Sequence, residues 1–128
     1  MPVPCPCCKA SNDAGLPAIA VSAAQGKQLT LLAQIHRAKR ILEVGTLAGY
    51  SAICLARALP SDGVLVTCEI DPKHAAVARA NVEQAGLGKL VDVREGPAAD
   101  TMQSLIDAGE GPFDFFFIDA NKEQNADY

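Results

Sequence analysis

Positive charge is in short supply in this sequence. Its 128 residues carry 11 Lys and Arg against 15 Asp and Glu, for a formal net charge of -4 and a pI near 5.0. Nucleic acid and anionic membranes both repel an acidic surface, so neither is an expected partner. Also missing is any apolar run approaching the ~20 residues that cross a bilayer. The N-terminus lacks the basic-then-apolar order of a secretory signal, which makes a cytoplasmic protein the expectation. Histidine is scarce, with 2 residues, and the 5 cysteines do not fall into two spaced pairs. A metal cluster built on cysteine would need such pairs. Cys5, Cys7 and Cys8 crowd a proline-rich segment instead, which reads as a reduced, flexible tail. Cys54 and Cys68 fall in a helical and a strand pattern, as small core residues do.

What is present is enough for one packed domain. Hydrophobic residues make up 49% of the chain, so it should fold rather than stay disordered. Residues 1–15 read as the tail and 16–128 as the domain. Ser22 with Gln25 three residues on is a capping box, so a helix should begin at Ala23. Leu29, Leu32, Ala33 and His36 share one face of it, and the basic residues 37–40 suit its C-terminus. Apolar runs at 41–44, 64–70, 90–94 and 113–118 read as strands. Helices are expected between them, at about 51–59, 72–85 and 99–108, with Asp71 as N-cap and Pro72 as first helical residue of the middle one. Strands alternating with helices imply right-handed βαβ units and a parallel sheet. The doubly wound α/β order would be 3-2-1-4, with a ligand crevice between strands 1 and 4.

In such folds the ligand meets the carboxyl ends of the strands. Acids stand at these ends, among them Glu43, Glu69 and Asp119. The turn Gly45-Thr46-Leu47-Ala48-Gly49 is not the G-x-G-x-x-G of a dinucleotide site, and no lysine follows it as in a P-loop. A pyrophosphate over that turn would face Glu43, like charge against like. S-adenosylmethionine fits better. It has no phosphate, and an acidic crevice attracts its ammonium and sulfonium. Its carboxylate could take the helix N-terminus and the Ser51 hydroxyl. Its ribose needs an acceptor ~20 residues past the turn, which is where Glu69 stands. Bland readings exist for most of these residues: Glu69 and Asp119 as solvated or capping strand ends, Asp71 as a helix cap. Glu43 is the hardest to explain as structure, because it interrupts an apolar strand.

As a set, ILEVGTLAGYS at 41–51, CEIDP at 68–72, Gly96-Pro97-Ala98 and FIDANK at 117–122 resemble the cation-dependent O-methyltransferases. These are the caffeoyl-CoA and catechol O-methyltransferases and their relatives. The resemblance covers residues 16–128 in order and implies the N-terminal half of a Rossmann-like class I methyltransferase fold. It implies Val21 as a lead-in residue over the cofactor, Glu43 facing its methionine end, and Gly45 as the close-approach glycine. It further implies Ser51 on the cofactor carboxylate, Glu69 on the ribose and Ala98 against the adenine. Asp119 would be a cofactor contact and metal ligand, and Lys122 the general base. The cofactors would be S-adenosylmethionine and a Mg²⁺-like divalent cation, which would acidify and orient a phenolic or catechol acceptor.

The chain departs from the family in having Asn121 where an aspartate is usual, and a Cys/Pro segment in place of an N-terminal helix. It also stops at Tyr128, before the residues that complete the family's metal site. The expectations are therefore two: an O-methyltransferase, or a truncated fragment that binds S-adenosylmethionine without catalysis. An exposed apolar strand at 113–118 would then invite a second copy or another chain to cover it.

Overall fold

The computed structural model describes residues 13–15 and 21–119, so the cysteine tail and Lys122 lie outside the described residues. Helix α1 (Ala23–His36) opens on the expected capping box: the Ser22 hydroxyl accepts from the Gln25 amide at 3.2 Å, and the Gln25 side chain accepts from the Ser22 amide at 2.8 Å. Its buried stripe is narrower than the sequence suggests. Gly26, Leu29 and Ala33 are buried, whereas Leu32 is 46% exposed and His36 lies outside the core. The reason is that α1 meets the next helix along a single line, marked by the Thr30 hydroxyl donating to the Cys54 carbonyl at 2.8 Å.

Four parallel strands follow: β1 (Arg40–Val44), β2 (Val64–Glu69), β3 (Val91–Glu95) and β4 (Phe115–Ile118). Their order across the sheet is β3-β2-β1-β4, as the alternating pattern predicts. Between them run α2 (Tyr50–Ala56), α3 (Pro72–Gln84) and α4 (Ala98–Asp107). Asp71 caps α3 by accepting from the amides of Lys73 and His74, with Pro72 in the first turn. Most boundaries shift from expectation by a residue or more, and three of the shifts stand out. Helix α2 stops at Ala56 because the next residues close tighter turns, Ala58 N to Leu55 O and Leu59 N to Ala56 O. Strand β2 ends at Glu69, leaving Ile70 66% exposed. Strand β4 begins at Phe115, because the Asp114 carboxylate turns back to accept from the amides of Lys39 and Arg40.

Side chains alternate across the sheet, so each strand feeds two cores. On one face Ile41, Leu65, Val91 and Val93 pack under α1, α2 and α3. On the other Leu42, Val44, Val66 and Cys68 pack against Ala98 and Leu105 of α4. The outer strand β3 is guarded by Arg79, whose Nη2 donates to the Val93 carbonyl at 2.9 Å. On β4 the expected apolar edge is only half exposed. Phe115 and Phe117 pack against the first core, and Phe116 and Ile118 remain 59% and 42% exposed.

Candidate functional site

The carboxyl ends of β1 and β2 converge on the turn at residues 45–49, and nearly every polar group of that turn is tied down. Gly45 leaves β1 with φ +89°, its amide donating to the Cys68 carbonyl of β2 at 2.9 Å. Leu47 takes an unusual positive φ of 52°. Its amide is held by the Glu69 carboxylate, Leu47 N to Glu69 Oε2 at 2.9 Å. The other oxygen of Glu69 accepts from the Asp71 amide at 3.1 Å. Glu69 is thus only 7% exposed and bridges the turn to the start of α3. Asn81 of α3 reaches back and donates to the Ala48 carbonyl at 2.8 Å. Gly49 closes the turn at φ +85°, where a Cβ would stand 3.2 Å from the Ala78 Cα and 3.3 Å from its carbonyl oxygen. Only glycine allows α3 to approach that closely at this backbone angle.

Beneath the turn lies Glu43, fully buried at 0% exposure. Parallel register sets it opposite Thr67 of β2 and Phe117 of β4. It points to the same face as Ile41, the face covered by α2, so residues in the first turn of α2 come down onto it. Ser51 donates its hydroxyl proton to Glu43 Oε1, and Thr67 donates to Oε2 at 2.6 Å. Among the described residues no basic side chain pairs with this carboxylate. Burial pushes its pKa up from 4.5 to about 7, against the lowering effect of the Ser51, Thr67 and Thr46 hydroxyls and with a small push from Asp119. The strand pattern therefore flags the right residue, and its neighbours in this structure are hydroxyls.

The remaining sequence candidates are spread around this centre. Val21 is half-buried and packs on the first core, ahead of α1. Ala98, 9% exposed, opens α4 at the far side of β2. Near it a recess of about 610 Å³ is lined by Gly96, Pro97 and Thr101 but by none of Glu43, Ser51 and Glu69. Asp119 follows β4, exposed, with its amide donating to the Val44 carbonyl at 2.9 Å. Among the described residues no group of three His, Cys, Asp or Glu could hold a metal ion, so Asp119 does not amount to a metal centre there.

Sequence reasoning passed over Thr46, Thr67 and Asn81. Thr67 carried a signal, a hydroxyl inside the apolar run of β2, but its meaning appears only once the register sets it beside Glu43. Asn81 gave a fainter one, an amide on the inward stripe of α3 with Ala75, Ala78 and Val82.

A family model described as O-methyltransferase matches residues 8–128. A catechol O-methyltransferase of Niastella koreensis is 57% identical over 116 residues, covering 91% of this chain and 52% of that protein. Among solved structures, the Bacillus cereus O-methyltransferase in complex with SAH superposes with a TM-score of 0.91 at 50% identity, over 93% of this chain and 54% of that one. A Streptomyces achromogenes O-methyltransferase involved in tomaymycin synthesis, in complex with SAM, does so with a TM-score of 0.87 at 47% identity, over 92% and 53%. The chain spans about half the length of the curated relatives it matches.

Proposed function

Since this chain belongs to the O-methyltransferase family, we propose that it binds S-adenosylmethionine at the carboxyl ends of β1 and β2 for methyl transfer to a hydroxyl of a small phenolic or catechol-like acceptor. The observation that carries this reading is Glu43. Among the described residues, a fully buried carboxylate with hydroxyl partners and no basic one is costly, and burial pushes its pKa up to about 7. A ligand that brings an ammonium to the crevice supplies the missing counter-charge. A pyrophosphate there would raise the cost further. Glu69 keeps unused lone pairs at the rim while both its oxygens hold backbone amides. That suits it to accept from the ribose hydroxyls.

The chemistry is a displacement in line. The acceptor oxygen forms a bond to the methyl carbon, the carbon–sulfur bond breaks, and the sulfonium becomes a neutral thioether as the acceptor hydroxyl loses its proton. What the described residues contribute is placement. The pinned turn fixes the donor, and fixed geometry lowers the barrier by making the encounter intramolecular. The family resemblance assigns the proton to Lys122, outside the described residues. It also implies a divalent ion that would acidify and orient the acceptor. The described residues provide Asp119 and no cluster around it, so such an ion would need further ligands from outside them.

Calorimetry with S-adenosylmethionine, followed by a methylation assay with a catechol in Mg²⁺ and then in chelator, tests the reading. Binding with turnover that the chelator abolishes is the expected result. Binding without turnover would leave only the donor half of the proposal standing. A chain that folds and does not bind the donor would overturn it.

A further inference from the structure

The two acids at the end of β2 share a histidine that the donor reading leaves unused. His74, in the first turn of α3, has its Nδ1 3.7 Å from Glu69 Oε1 and its Nε2 3.7 Å from Asp71 Oδ2. Neither distance is a hydrogen bond, but each ring nitrogen has a carboxylate oxygen beside it. Both acids are held where they are by other bonds. Glu69 accepts from the Leu47 and Asp71 amides, and Asp71 caps α3 through Oδ1, which leaves Oδ2 to the ring. The His74 side chain is 20% exposed, at the rim of the site.

That arrangement suits the protonated ring. A neutral imidazole has one N–H, so beside two carboxylates it sets a lone pair against one of them. The imidazolium has two N–H groups, one for each acid. A cation is otherwise out of place in the first turn of a helix, where the backbone already carries positive partial charge. Glu69 and Asp71 together offset that cost. Of the other charged groups, Lys73 precedes His74 on α3. Gly15, two residues after Asp13, lies against that lysine, a Cβ on it standing 3.8 Å from Nζ. The turn at residues 45–49 brings no charge.

We propose that His74 is a positioning residue of the donor site: when protonated it bridges Glu69 and Asp71, and in doing so weakens the hold of this rim on S-adenosylmethionine. Two effects share that sign. The bridge takes up a lone pair of Glu69 that a ribose hydroxyl would use, and its positive charge offsets the acids that attract a cationic donor. Histidine ordinarily changes charge between about pH 5 and 8, so the rim releases its donor as the pH falls. By linkage, donor binding drives the proton off His74. The inference rests on the S-adenosylmethionine reading and adds a residue that the reading does not contain.

Glu43 titrates in the same range, so the test is a difference. Titration calorimetry with S-adenosylmethionine, from about pH 5.5 to 8, compares the full chain with His74→Gln, whose side chain is polar and neutral throughout. Loss of the Glu43 charge weakens binding at low pH in both. Near pH 5.5 the parent should bind roughly three- to tenfold more weakly than His74→Gln, the worth of one hydrogen bond, and the gap should close as the pH rises. The chain has 2 histidines, so in a His36→Gln background the NMR titration of the remaining ring reports His74 alone. Its midpoint should fall when the donor is added. Coincident pH profiles, a gap of the opposite sign, the same gap at every pH, or a midpoint that the donor leaves unmoved overturns the bridge while leaving the donor site intact. Should His74→Gln fail to fold, the NMR titration decides alone. Failure of the unmodified chain to bind the donor overturns the underlying reading instead.

Discussion

The rim of the sheet above β1 and β2 and the rim beyond β4 are built to different standards. On the first, Glu43 and Glu69 are buried, each oxygen has a named donor, and the turn between them is held from β2 and α3. On the second, Asp119 is exposed, with Phe116 and Ile118 exposed beside it. The first rim is tied together by hydrogen bonds within the described residues. The second offers a single carboxylate and a strand end. A methyltransferase needs both, one to hold the donor and one to activate the acceptor. On the proposed function, the contrast implies that donor binding and acceptor activation can be separated experimentally.

Three substitutions probe the contrast. Gly49→Ala should have the largest effect. It forces a side chain into a left-handed backbone position and against Ala78 of α3. The combined strain and overpacking should cost about 2–4 kcal/mol in denaturant unfolding, with donor binding lost at the same time. A variant as stable as the parent would mean that the turn is not clamped as described.

Glu43→Gln should split the rim's two jobs. The folded pKa of Glu43 is about 7, above its unfolded value of 4.5, so the folded state binds the extra proton between those values. Stability from this group is therefore greatest below the lower value, falls as pH rises through the window, and is flat above it. Removing the charge should stabilise the protein by roughly 3 kcal/mol above the window and by little below it. Donor affinity should move the other way, weaker by roughly 1–3 kcal/mol for loss of a charged partner. Melting curves across pH, paired with calorimetry, check both signs. A variant less stable at high pH than the parent would show that Glu43 is structurally paired after all.

Asp119→Asn should do least. The side chain is exposed, so stability should stay within about 0.5 kcal/mol. It does raise the Glu43 pKa slightly through like charge, so the midpoint of that titration should drift down. A large loss of stability here would erase the difference between the two rims.

Much of the fold could be read in the sequence because its signals are local. Ser22 with Gln25, and Asp71 with Pro72, fix helix starts through neighbours in the chain. The strand order follows from alternation and handedness. Glu43 was legible as a misfit. Its partners were not, because Thr67 is 24 positions away and meets it only through register. Glu69 was legible as a strand-end acid with a ribose in prospect. Its hold on the Leu47 amide depends on a positive φ that no residue type announces. Leu32 misled because a helix face shows which residues are apolar and says nothing of how much of that face a neighbour covers.

The bonds that hold the glycine turn have a consequence for how the protein forms. Leu47 and Glu69 are 22 positions apart, and Ala48 and Asn81 are 33 apart. Closing such loops costs entropy that is repaid only after β2 and α3 have docked. The turn is therefore expected to take shape late, after β2 and α3 have docked. A ligand of this turn binds the native state alone, so by mass action it stabilises the whole domain and not just the loop it touches.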